Sequence, residues 1–181
     1  TKAGGSGDNK TFVGKIQALV SANQINEAIE LCDTQKGSVA NVVKSALVKF
    51  KEVKAEGFDA DKATETIQKE IEEATVLEMP MLEKNMIVLA TLVSVGTLVG
   101  LLGTVTGMIK AFSALSTAGS PDSSALATGI SEALMNTATG IGTSTLAIIF
   151  YNAFTTKIDK LTHSIDEAGF AITQSYRRNN R

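Results

Sequence analysis

MIVLATLVSVGTLVGLLGTVTGMI, residues 86–109, contains no charged residue. Wound as a helix at ~1.5 Å per residue, it is longer than the ~30 Å hydrocarbon core of a bilayer. A second uncharged run, ALMNTATGIGTSTLAIIFYNAFTT, occupies residues 133–156. Two such runs exceed what the core helices of a soluble bundle require, so they predict two membrane-spanning helices. Between them, KAFSALSTAGSPDSSALATGISE (110–132) carries Gly119, Ser120 and Pro121, which mark a turn. The runs therefore form an antiparallel hairpin over 86–156, with an external loop expected at about 112–131.

The rest of the chain has a different character. Residues 1–85 hold most of the charge, and the formal net charge of the whole is -2. A nucleic-acid binder would carry a basic excess, so nucleic acid is not an expected partner. Residues 1–9 read as a flexible, glycine-rich end without a signal peptide's apolar segment. From Lys10 the apolar residues Phe12, Ile16, Leu19 and Val20, then Ile25, Ile29 and Leu31, recur at helical spacing. Gly37 breaks this pattern. Val39, Val42, Val43, Leu47 and Val48 then form another apolar face, which completes an amphipathic helical hairpin. Gly57 marks a further break, and Asp61 is expected to cap the charged helix that follows. Pro80 predicts a kink or a boundary just before the first uncharged run. Residues 157–181 read as an amphipathic helix with a basic end.

The predicted fold is thus all-α: long transmembrane helices extending into a helical bundle in the cytoplasm. The positive-inside rule gives the topology. Lys84, Lys157, Lys160 and Arg177, Arg178 and Arg181 lie beyond the outer ends of the hairpin, whereas its loop region holds only Lys110. Both ends are expected in the cytoplasm.

Gly and Thr are poor helix formers in water, yet the uncharged runs are rich in both. In lipid, helices associate through close backbone approach and interhelical hydrogen bonds. Gly96, Gly100, Gly103 and Gly107 recur at spacings of four, three and four, which places them on one packing stripe, with Gly140 on the second helix. A lone hydroxyl can bond its own backbone one turn back and mean nothing more. Thr104, Thr106, Thr137, Thr139, Thr143, Ser144 and Thr145 together predict that some face a polar interior. Thr104 lies six residues before Lys110, and Thr137 five after Glu132, so both sit roughly 7–9 Å inside the outer charged ends. They are expected to form one polar layer. Lys110 and Glu132, at similar heights, are candidates for a boundary ion pair.

Neither run contains Asp or Glu. Hydroxyls do not titrate, so a proton path needs a carboxylate from a partner subunit. With one His and one Cys in the chain, a metal cluster is not expected, nor is any cofactor. No nucleophile–base pair is visible, which argues against an enzyme. His163 reads as solvated and Cys32 as a small core residue. A structural membrane scaffold without ion transport remains the alternative reading of the same glycines and threonines.

The motifs GLLGTVTGMIKAF (100–112), GISEALMNTATGIG (129–142) and YNAF (151–154), in this order and spacing, resemble the ExbB/TolQ/MotA proton-channel family, and the ExbB and TolQ branch most. The resemblance covers about residues 82–160. It implies a multi-pass protein of the bacterial inner membrane with three membrane helices, the first of them expected upstream of residue 1. It also implies a pentameric homo-oligomer around a pore, a small ExbD/TolR-type subunit whose Asp carries protons, and coupling to a TonB- or TolA-type protein. The family's pore-lining threonines fall on Thr104 and Thr137, and its membrane glutamate falls on Glu132. The Thr- and Ser-rich stretch TGIGTSTLA (139–147) departs from the more usual Ala- and Val-rich pattern.

Overall fold

The structure, a computed structural model, describes residues 8–117 and 123–179. The described residues form helices and turns with no strand. In chain order the helices are α1 (Asn9–Ser21), α2 (Ile25–Gln35), α3 (Ser38–Ala55), α4 (Ala60–Glu83), α5 (Met86–Thr117) and α6 (Ser123–Asn179). They divide into two compact units. One contains α1 to α4 and the end of α6 from Thr156; the other spans Asn85–Thr155.

The first unit is a bundle assembled around large side chains. α1 begins where the Asp8 carboxylate accepts hydrogen bonds from the backbone N–H and hydroxyl of Thr11. It ends at Asn23, whose φ of 61° lets the Gln24 N–H reach back to the Leu19 carbonyl. This turn splits into α1 and α2 what the spacing of Phe12 to Leu31 had suggested was one helix. Asn adopts the left-handed conformation more readily than most residues, so the polar stretch SANQ breaks the helix without a glycine. Lys36 and Gly37, both at positive φ, separate α2 from α3, and Gly57 at φ 69° ends α3.

The expected cap at Asp61 is corrected. Asp59 holds the cap position, and Asp61 lies in the first turn of α4, where its carboxylate pairs with Arg177 at 3.1 Å. α4 passes through Pro80 and ends three residues later at Glu83. Pro80 therefore lies just before the boundary and does not form it.

Phe12, Ile16, Leu47, Phe50, Ile67, Ile165, Ile172 and Tyr176 are all fully buried in this core. The Phe50 and Tyr176 rings meet edge to face with centroids 4.9 Å apart. Two bonds secure the end of α6 to the last turn of α1, whose carbonyls have no partner within their own helix. The Ser175 hydroxyl donates to the Val20 carbonyl at 3.0 Å, and Arg178 donates to that of Ser21 at 3.2 Å. Cys32 is buried here, and burial pushes its thiol up to about 12. His163 is exposed.

The second unit is a hairpin of α5 and the first part of α6. The connection expected over 112–131 is narrower, because α5 continues to Thr117 and α6 begins at Ser123. Ala- and Ser-rich sequence on either side of the turn sustains helix beyond the charged residues. The turn signals Gly119, Ser120 and Pro121 lie outside the described residues, as do positions 1–7 of the glycine-rich end and Arg181. Both hairpin helices are long and apolar enough to cross a membrane.

Candidate functional site: hydroxyl pairs on the hairpin

Glycines set how closely the two helices approach. A Cβ on Gly100 would stand 2.9 Å from the Cα of Gly140, and one on Gly140 would stand 2.7 Å from the Cα of Gly100. No side chain fits between backbones at that distance. Above and below this crossing the pairing continues. A Cβ on Gly96 would meet the Ser144 hydroxyl at 2.7 Å, one on Gly103 the Asn136 Cβ at 2.6 Å, and one on Gly107 the Ala133 Cβ at 2.9 Å. Gly129 faces Ala111 in the same way, at 2.5 Å. Residue numbers rise along α5 as they fall along α6, so the helices are antiparallel and every level is identified. Gly142, by contrast, faces open space.

Close approach brings hydroxyls together. Thr104 and Thr137, both half-buried, are hydrogen-bonded hydroxyl to hydroxyl across the hairpin. The Thr104 oxygen also lies 3.3 Å from the carbonyls of Gly100 and Ala133. Four oxygens from both helices thus converge at one level. A second pair lies seven residues away on each helix: the Thr97 and Ser144 hydroxyls are hydrogen-bonded at 2.9 Å, and the Thr97 oxygen also lies 3.3 Å from the Val93 carbonyl of its own helix. Hydrogen bonds of this kind hold membrane helices together where lipid offers no hydrophobic drive.

The remaining hydroxyls singled out by composition behave differently. Thr106 donates to the Gly103 carbonyl, Thr139 to that of Met135, Thr143 to Thr139 and Thr145 to Ile141. Each closes on its own helix. Composition could not separate these from the cross-helix pairs, because the distinction depends on which face meets the neighbour. Thr97 was missed for the same reason. Its signal is its place one residue after Gly96, on the edge of the glycine stripe.

Lys110 and Glu132 are both exposed, and the ion pairs among the described residues do not include them. Their neighbours Ala111 and Ala133 occupy the helix contact, and one residue along a helix turns a side chain about 100° away from it. Similar height is therefore not enough to bring the two charges together. Among the described residues, no group of three or more His, Cys, Asp or Glu is placed to hold a metal ion.

The outer surface of the hairpin is apolar. Leu98, Leu102, Ile109, Leu134, Met135 and Leu146 are each more than half exposed. Small residues inside and large aliphatic ones outside reverse the order of a water-soluble hairpin and suit a hydrocarbon environment.

Comparison with known proteins adds the following. Residues 34–167 match the family model described as the MotA/TolQ/ExbB proton channel family. An ExbB-like biopolymer transport protein of Synechocystis sp. is 28% identical over 158 residues, 85% of this chain and 75% of that protein. The Tol-Pal system protein TolQ of Pseudomonas aeruginosa is 32% identical over 124 residues, 68% of this chain and 54% of its own. The biopolymer transport protein ExbB of Pseudomonas putida is 25% identical over 166 residues, 92% of this chain and 50% of its own. The chain thus spans about half the length of these TolQ and ExbB relatives.

Proposed function

The chain belongs to the MotA/TolQ/ExbB proton channel family, and on that premise we propose that it is the channel-forming subunit of an ExbB- or TolQ-like complex in a bacterial inner membrane. In this reading α5 and the first part of α6 span the bilayer, the Thr104–Thr137 level lines the ion path, and both ends of the chain lie in the cytoplasm. The carrying observation is the hydroxyl pair itself. Two polar side chains, one from each helix, meet at one level of the hairpin beside two carbonyl oxygens.

The chemistry assigns the division of labour. A Thr hydroxyl donates and accepts hydrogen bonds but does not take up a proton near neutral pH, so Thr104 and Thr137 orient a group that does. Neither uncharged run, 86–109 nor 133–156, contains a carboxylate. The titrating acid comes from a second subunit, a small single-helix protein of the ExbD/TolR type seated among copies of this chain. A ring of copies, a pentamer in the family pattern, surrounds that helix. Each charge that crosses 100 mV releases about 2.3 kcal/mol, enough to bias a mechanical step. The output passes to a TonB- or TolA-type protein, for transport across the envelope or for its maintenance. The two hydroxyls discriminate between the protonated and ionised acid: they donate to a carboxylate and accept from a carboxylic acid.

The test is co-expression with the neighbouring small membrane protein, followed by native mass measurement and proton flux in vesicles. A ring holding one or two copies of the small subunit, conducting protons, supports the reading. Thr104→Val and Thr137→Val preserve shape and are expected to lower flux by about tenfold or more, the scale of one lost charge-assisted hydrogen bond. A monomer or dimer that binds nothing and conducts nothing overturns the reading and leaves a structural scaffold.

A further inference from the structure

The Ser38 hydroxyl is fully buried, at 0% exposure, and has no hydrogen-bond partner among the described residues. The other buried side-chain oxygen of which this holds is Glu78 Oε2. The two belong to different helices of the bundle, and packing brings them to the same end of its core. On α4 the buried residues Ala63, Ile67, Ile71 and Ala74 follow a helical spacing, and the next step of four is Glu78. On α3 the buried residues run from Ser38 to Val53. Asn41 lies one turn after Ser38, and its Nδ2 donates to Glu78 Oε1 at 2.9 Å. The carboxylate is therefore held beside the first turn of α3.

That turn adds donors. The Asn41 N–H bonds the Gly37 carbonyl at 3.0 Å. The N–H groups of Ser38, Val39 and Ala40 come before it and have no carbonyl of their own helix to reach. Gly37 at the cap has no side chain to accept from them, and all three residues are 2% exposed or less. This end of the core thus gathers a hydroxyl, backbone N–H groups and one free carboxylate oxygen. A buried donor or acceptor left unpaired costs free energy, and ordered water is what meets such groups in folded proteins. The mixture of groups selects water over an ion. The carboxylate repels an anion, and the positive end of the α3 dipole repels a cation. Water both donates and accepts, so one molecule can donate to Glu78 Oε2 and accept from the Ser38 O–H.

We infer that Ser38, Glu78 and the first turn of α3 hold an ordered water molecule, which ties the start of α3 to α4 at this end of the core. Glu78 lies eight residues before Met86, so the water joins α3 to the part of α4 that leads into the first uncharged run. The inference concerns the bundle and does not depend on the channel reading.

A crystal structure of the full chain that orders single waters, and thermal unfolding of the chain in detergent, test it. The crystal structure is expected to show a water within hydrogen-bond reach of both Ser38 Oγ and Glu78 Oε2. Ser38→Ala removes one of the water's partners. It is expected to lower the melting temperature by about 2–4 °C, the shift that one hydrogen bond is worth in a chain of this size. In a Glu78→Ala background the water has already lost its acceptor, so adding Ser38→Ala is expected to shift the midpoint by less than about half as much. A midpoint that Ser38→Ala raises or leaves unchanged overturns the site, because the hydroxyl is then buried dry. Equal Ser38→Ala shifts with and without the Glu78 carboxylate overturn the bridge, because the two groups then act separately. A crystal structure in which a protein atom or an ion meets both oxygens also overturns it. If Glu78→Ala does not fold, the crystal structure and the single Ser38→Ala melt decide.

Discussion

The bundle and the hairpin solve the same packing problem with opposite residues. In the bundle, large side chains such as Phe50, Leu47 and Ile67 are fully buried, and charge covers the outside. In the hairpin, glycine and alanine line the contact while Leu98 and Leu102 are 62% and 61% exposed. Water drives apolar side chains together, so the bundle gains by burying as much apolar area as it can. Hydrocarbon gives no such drive, so the hairpin gains by close backbone contact and by hydrogen bonds between helices. The difference is the one that water around the bundle and hydrocarbon around the hairpin would favour, with hydroxyls meeting in the hairpin contact and rings in the bundle core.

Substitutions at matched positions sharpen or break this contrast. The largest effect is expected at Phe50→Ala, which empties a fully buried site against Tyr176 and should cost about 3–5 kcal/mol, read by thermal unfolding in detergent. Leu98→Ala on the hairpin surface should stay within about 0.5 kcal/mol. Equal losses at both sites would mean that Leu98 is covered by protein and that the hairpin is not inside out.

Next in size is a pair of glycines two residues apart on α6. Gly140→Ala forces a Cβ to within 2.7 Å of the Gly100 Cα and should destabilise by about 1–3 kcal/mol. Gly142→Ala faces open space and should be neutral or gain up to about 1 kcal/mol in helix propensity. Melting curves that failed to separate the two would show that backbone contact is not what holds the hairpin.

Cys32 reports on the bundle from the inside. Its thiol is pushed up to about 12 by burial, so the folded chain binds a proton that the unfolded chain releases near pH 9. Its contribution to stability is full below pH 9 and declines as pH rises toward 12. At pH 8 the folded thiol should alkylate far more slowly than the unfolded one, and fast labelling of the native chain would show that the core opens. The smallest effect belongs to the exposed Arg177–Asp61 pair. Arg177→Ala should cost less than about 1 kcal/mol in the same melt, since both side chains are more than half exposed.

Much of this architecture was legible in the residues. The charge-free runs, the glycine spacing at 96, 100, 103 and 107, and the breaks at Gly37 and Gly57 all point to elements that the structure contains. The break at Asn23 was hidden because the apolar pattern continues through it, and a left-handed Asn disturbs neither composition nor period. Depth counted from the charged ends brought Thr104 and Thr137 to one level, and they do bond. The same count brought Lys110 and Glu132 to similar heights, yet the two charges do not pair. Rise along a helix is set by residue number, whereas rotation about it matters only once the contact face is known.

Sequence alone determined the apolar or charged character of each unit, because hydropathy and charge are properties of residues and not of their arrangement. It also determined that no carboxylate lies within residues 86–109 or 133–156. Only the tertiary structure decided which hydroxyls face across the hairpin. Thr97, Thr104, Thr137 and Ser144 share their chemistry with Thr106, Thr139, Thr143 and Thr145. What separates the two sets is the register fixed where Gly100 meets Gly140, since backbone contact at one level sets the rotation and height of every other residue on two rigid helices.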